Sequence, residues 1–135
     1  MARKLKKSAM EMVAEANREI ETISAKDAIA HKDDPNVVLV DLRDIRELNR
    51  DGRIPGAFHA PRGMLEFWVD PASPYYKEIF GSDKKFAFFC AGGMRSALAA
   101  QTVQRMGLEP VCHIEGGFRA WKEAGGPVEG GKAES

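Results

Sequence analysis

Phe86-Ala87-Phe88-Phe89-Cys90-Ala91-Gly92-Gly93-Met94-Arg95-Ser96-Ala97-Leu98-Ala99-Ala100 decides how the rest of the chain is read. Four apolar residues without polar alternation suit a strand buried on both faces of a parallel sheet, and Ser96 to Met106 carries the pattern of a helix that stops at Gly107. Val37-Val38-Leu39-Val40 is a second run of the same kind, and Val111-Cys112-His113-Ile114 a weaker third. Helical stretches alternate with these runs. Ser24 caps a short one through Ala28 to Ala30, Asp44-Ile45-Arg46-Glu47 starts another with its own capping pair, and Phe118 to Ala124 is closed by Gly125. Ser73-Pro74 reads as a cap followed by proline at the first helical position. Strand and helix in alternation predict an α/β domain, a mainly parallel sheet with helices on both faces. In such sheets ligands sit at the carboxyl ends of the strands, which is where Cys90 falls.

Composition narrows the classes. A chain of 135 residues, 44% hydrophobic, has material for one core. Twenty basic and twenty acidic residues cancel, which argues against a nucleic-acid or anionic-membrane partner. No apolar run approaches the roughly 18 to 20 residues that cross a bilayer, and the basic start Arg3-Lys4-Leu5-Lys6-Lys7 has no apolar segment behind it. Two cysteines, Cys90 and Cys112, make no disulfide framework, so the cytoplasm is the expected compartment. Organisation is expected in three parts: a helical extension over 1–21, a domain over 22–128 and a flexible tail over 129–135, with fraying from Gly125 onward. The extension opens on the capping box Ser8-Ala9-Met10-Glu11 and places Ala9, Val13, Ala16 and Ile20 on one face. That face is suited to its own domain, to a second copy or to another protein.

The chemistry is concentrated in the loop after Phe89. Ala91, Gly92 and Gly93 carry little or no side chain, so the backbone can turn successive N–H groups toward one point and form an anion-binding nest. The helix start adds about 0.3 to 1 kcal/mol for a nearby negative charge, and about 2 in a partly buried geometry. At about 1.36 kcal/mol per unit, that lowers a thiol pKa by roughly one unit, before any amide hydrogen bond to sulfur. Cys90 is thus the candidate nucleophile, and the amides of Ala91, Gly92, Gly93, Met94, Arg95 and Ser96 are the candidate cradle. Cys112, inside a strand with no glycine loop beside it, reads as an inert buried thiol.

Cys-x-x-Gly-x-Arg-Ser at Cys90 to Ser96 resembles the active-site loop of the rhodanese-like sulfurtransferases. Two other segments agree in order. Val38-Leu39-Val40-Asp41-Leu42-Arg43, with Glu47, Gly52-Arg53-Ile54-Pro55-Gly56-Ala57 and Pro61, is similar to the family's Asp-x-Arg strand and Gly-His-Ile-Pro-Gly-Ala turn. Ile114-Glu115-Gly116-Gly117-Phe118-Arg119-Ala120-Trp121 is similar to its Gly-Gly-x-x-x-Trp element. Arg53 stands where a His is usual, which alters a surface contact. The resemblance implies a five-stranded sheet and a two-step transfer: a sulfane donor such as thiosulfate leaves a persulfide on Cys90, and cyanide or a thiol removes it. It implies no metal and no cofactor.

Two other readings stand beside it. Four residues separate Cys90 from Arg95, as in the sulfurtransferases, whereas dual-specificity phosphatases of the cell-cycle type carry five, enough to surround a tetrahedral phosphate; phosphatase or arsenate reductase chemistry is therefore the runner-up. A sulfur-relay or regulatory module, loaded by a partner that the front helix recognises, is the other. Asp41, Arg43 and Glu47 are expected to support the site through ion pairs, with Arg95 bracing the loop on Asp41 or Glu47. Met94 offers an uncharged side chain at the loop. Arg46, Arg62 and Arg119 are possible sources of positive field at the mouth. His31, His59 and His113 have no zinc spacing and read as packing or surface residues. Phe67, Trp68, Tyr75 and Tyr76 read as cover for the core.

Overall fold

The computed structural model describes residues 2–132. Five strands form one all-parallel sheet: β1 (Glu21–Ile23), β2 (Val37–Asp41), β3 (Phe58–His59), β4 (Lys85–Phe89) and β5 (Val111–Ile114), in the order β1-β5-β4-β2-β3. The helices are α1 (Ala9–Glu19), α2 (Ala25–Ala30), α3 (Ile45–Asp51), α4 (Leu65–Val69), α5 (Met94–Met106) and α6 (Gly117–Glu123). No helix of the described residues is long and apolar enough to cross a membrane.

The side chains of β4 show why its run lacks alternation. Phe86 and Phe88 enter one core layer with Val13 and Ala16 of α1, Ile20 at its C-cap, and Ala97, Ala100 and Val103 of α5, whereas Ala87 and Phe89 enter a second with Ala28 of α2 and Phe118 and Trp121 of α6. A strand with helices on both sides needs apolar residues at every position. Being central, β4 also carries Cys90 to the middle of the sheet's carboxyl edge. Cys112 lies in the second layer, where burial pushes its thiol up to about 11.

α1 docks on its own domain. Ser8 and Glu11 close the capping box, and the apolar face lies on α5. Glu19 then ties the end of α1 to Gln101 and Arg105 of α5. Burying a Val or Ile side chain stabilises by roughly 1.5–3 kcal/mol, so Val13 and Ile20 make this helix part of the core.

Some local expectations change. Ser73-Pro74 does not start a helix. The Ser73 hydroxyl accepts from the Tyr75 N–H, two residues on, and the Lys77 N–H is drawn back to the Trp68 carbonyl, so the segment closes as turns. α5 begins at Met94, two residues before the expected Ser96, because Gly93 takes a left-handed conformation (φ 107) and caps the helix itself. β1 and β3, three and two residues long, carry no strand pattern in the sequence. The glycine-rich end, expected to fray, returns to the domain: Trp121 Nε1 donates to the Pro127 carbonyl, and Arg53 and Glu129 exchange backbone hydrogen bonds. Residues 133–135 of the expected tail lie outside the described residues.

Candidate active site

The loop is held from below by α6. The Phe118 N–H donates to the Cys90 carbonyl at 2.8 Å and the Arg119 N–H to the Ala91 carbonyl at 3.1 Å. Those amides belong to the first turn of α6, which has no acceptors of its own. Gly117, in a left-handed conformation at φ 58, is required for this approach, since a Cβ there would run into the Cys90 carbonyl oxygen. The Gly116-Gly117 pair is therefore part of the cysteine site, 26 residues along the chain from it.

With its carbonyl fixed, Cys90 turns its sulfur into the loop. Sγ accepts the Gly93 N–H at 3.1 Å and lies 3.6 Å from the Ser96 hydroxyl. Cys90 is only 1% exposed, so its sulfur lies beneath the loop. Of the six amides expected to face it, Gly93 makes the hydrogen bond. Those of Met94, Arg95 and Ser96 open the first turn of α5, where they have no intrahelical acceptor and no side chain caps them.

Arg95 braces the loop on Glu47 and not on Asp41. Its two terminal nitrogens donate to the two carboxylate oxygens at 2.9 and 3.0 Å. That pairing holds the Glu47 carboxyl below its ordinary range and raises Arg95, to which the neighbouring Cys90 sulfur also contributes. Asp41 pairs instead with Arg43. The guanidinium donates to both Asp41 oxygens, at 3.0 and 2.8 Å, and to the Gly52 carbonyl at 2.9 Å. It also stacks 4.0 Å from the centre of the Phe118 ring. Arg43 thus joins the ends of β2 and α3 to the start of α6, the helix on which the cysteine loop rests.

Two depressions flank the loop. One, of about 410 Å³, is lined by Gly92, Gly93, Met94, His113, Glu115, Gly116 and Thr22, with Val13 and Asn17 from α1. The other, of about 160 Å³, lies beside Ala91 and is lined by Arg119 and Lys122 with Arg43, Asp51 and Phe118. Arg119 is therefore near the loop, whereas Arg46 and Arg62 pair locally with Asp44 and Glu66. Exposed Met94 forms a wall of the larger depression. Arg53 is exposed and acts through its backbone. Trp68 does cover the core, edge-on to Phe58, while Phe67 and Tyr75 are exposed.

His113 is the residue whose place the sequence does not disclose. It is buried, with Nδ1 3.0 Å from the Ser96 hydroxyl and Nε2 2.8 Å from Asn17 Oδ1. Desolvation lowers its pKa, with Glu115 acting in the opposite direction. His59, half-buried, is bonded to the Arg43 carbonyl, and His31 is on the surface near Asp34.

Comparison with known proteins agrees with this architecture. A family model for the rhodanese-like domain matches residues 24–124. YtwF of Bacillus subtilis (strain 168), named as a candidate sulfurtransferase, is 31% identical over 105 residues, which cover 78% of this chain and 90% of YtwF. The tRNA uridine(34) hydroxylase of Cronobacter sakazakii is 31% identical over 112 residues, 80% of this chain but only 31% of the hydroxylase. Among solved structures, a Rhodopseudomonas palustris protein described as of unknown function and a possible tyrosine phosphatase is 59% identical, with a TM-score of 0.92 over 96% of this chain and 99% of that one. The polysulfide-sulfur transferase homodimer of Wolinella succinogenes is 29% identical, with a TM-score of 0.72 over 90% of this chain and 87% of that one. Its matched span and these relatives together make this chain a member of the rhodanese-like domain family.

Proposed function

We propose that this protein moves a sulfane sulfur from thiosulfate or a related donor to a thiophilic acceptor through a persulfide on Cys90. The observation that carries the reading is the Gly93 N–H on Sγ at the start of α5, which favours negative charge on sulfur. The Cys90 thiolate attacks the outer sulfur of the donor. In thiosulfate the sulfur–sulfur bond breaks, sulfite leaves with the electron pair, and Cys90 keeps a terminal persulfide anion. Cyanide or a thiolate then attacks that outer sulfur, and the Cys90 thiolate is the leaving group. Both steps put negative charge in one place, so one preorganised set of amides serves both. Arg119 and Lys122 beside Ala91 supply a basic approach for an anionic donor.

The description of the Rhodopseudomonas palustris relative as a possible tyrosine phosphatase favours a second reading, hydrolysis of an aryl phosphate. Two features weigh against it. The loop has four residues between Cys90 and Arg95, and both terminal nitrogens of Arg95 are occupied by Glu47 rather than turned to a phosphate. A sulfur-relay module is the third reading, and its turnover on small molecules would be slow without a partner. The purified chain is expected to form thiocyanate from thiosulfate and cyanide and to leave p-nitrophenyl phosphate at the buffer rate. Phosphate release without thiocyanate would overturn the assignment, and thiocyanate formation only on addition of a second protein would replace it with the relay.

A further inference from the structure

A chain of side chains leads away from the sulfur: the Cys90 thiol to Ser96 Oγ (3.6 Å), Ser96 Oγ to His113 Nδ1 (3.0 Å), and His113 Nε2 to Asn17 Oδ1 (2.8 Å). Its members come from the end of β4, the first turn of α5, the middle of β5 and α1. With the Asn17 carbonyl oxygen assigned as the partner of Nε2, the imidazole hydrogen sits on Nε2 and the lone pair of Nδ1 faces Ser96. A serine hydroxyl has one proton. Nδ1 is nearer to it than its other acceptor, the Gly93 carbonyl at 3.3 Å, and leaves the hydroxyl oxygen open to the S–H of Cys90.

We propose that His113, a positioning residue acting through Ser96 and oriented by Asn17, takes the proton of the Cys90 thiol, so that α1, outside the family match, contributes to the reactivity of the sulfur. The transfer balances: the Cys90 proton passes to the Ser96 oxygen, the Ser96 proton passes to Nδ1, and a neutral thiol and imidazole become a thiolate and an imidazolium. The imidazolium forms as the sulfur attacks and returns its proton to solvent afterwards, across the cleft that His113 lines.

Burial lowers the His113 pKa: the resting ring is neutral, with the Nδ1 lone pair free, and the imidazolium is disfavoured, so it forms only as the sulfur attacks. Two nearby charges work in the other direction. The ionisable groups around the pair are Glu115, two residues along from His113, which favours the imidazolium, and Arg95, which favours the thiolate. α1 presents Asn17 and Val13, and β1 presents Thr22, none of which titrates.

The test is the rate of Cys90 alkylation by iodoacetamide, located by peptide mass, between pH 5.5 and 9.5. His113→Gln, which keeps a hydrogen-bonding side chain but cannot take the proton, is expected to slow alkylation about tenfold near pH 7 and to rejoin the wild type above about pH 9, where alkali removes the thiol proton directly. Asn17→Ala, at an exposed position on α1, is expected to move the profile the same way by about threefold. Superimposable profiles, or a loss equal at every pH, would overturn the proposal. If His113→Gln does not fold, Asn17→Ala and Ser96→Ala carry the test. The inference rests on Cys90 as the nucleophile but is separable from the sulfur chemistry: a normal alkylation profile without sulfur uptake from thiosulfate would overturn the proposed function and leave the proton route standing.

Discussion

Cys90→Ser is expected to lower thiocyanate formation by about a thousandfold or more while the fold stays intact. Serine is nearly isosteric with cysteine, and its hydroxyl can accept the Gly93 N–H and meet Ser96 as the sulfur does. Stability should therefore change by no more than about 1 kcal/mol. The chemistry is lost because a hydroxyl stays protonated at neutral pH under the same amides, and an oxygen on Cβ cannot carry a persulfide. Steady-state assay beside circular dichroism separates the two effects. Cys112→Ala is the comparison. Its thiol lies in the layer beneath α2 and α6, pushed up to about 11 by burial, and its removal should leave turnover within about twofold while costing some packing. Turnover retained in the Cys90 variant, or lost in the Cys112 variant, contradicts the site.

Arg43→Met is expected to cost about 3–5 kcal/mol of folding stability, a large share of the roughly 5–15 available to a domain. Arg43 and Asp41 are each 1% exposed, and the substitution leaves the Asp41 carboxylate buried with only the residue-43 amide as partner. It also removes the donor to the Gly52 carbonyl and the stacking on Phe118. Because a buried ion pair can be replaced as a unit at little cost, Asp41→Leu combined with Arg43→Met should recover part of the loss. Urea denaturation of the two variants checks this. If the single substitution costs no more than about 1 kcal/mol, Arg43 is not the staple between β2, α3 and α6 that its contacts describe.

The parts of this protein legible in the sequence are those written over short stretches. The Cys90 loop is local: small residues, a cysteine and a helix start lie within seven positions. β2 and β4 declare themselves because strands buried on both faces carry unbroken apolar runs, and β5 does so more weakly because His113 interrupts its run. β1 and β3 do not, since an edge strand of three or two residues has too little length for any pattern. The choice of Glu47 over Asp41 as the partner of Arg95 depends on how Arg43 fills the space around Asp41, which spacing does not record.

The network behind the sulfur is the least legible part. Asn17 and His113 are 96 residues apart and meet only because α1 packs on α5 beside β5. Within Val111 to Ile114 the alternation places Val111 and His113 toward α1 and α5, and Cys112 and Ile114 toward α2 and α6. A polar residue at a two-sided buried position was the one available signal: burial obliges such a side chain to find partners. Ser96 carries a similar signal. Once Gly93 caps α5, its hydroxyl falls in the first turn, free of capping and close to both the sulfur and the imidazole.

Intact mass after exposure to thiosulfate and removal of the excess tests the central claim most directly. A gain of one sulfur atom is expected, found on the peptide that contains Cys90 and discharged by cyanide. An unchanged mass, or an added sulfur on Cys112, would contradict it.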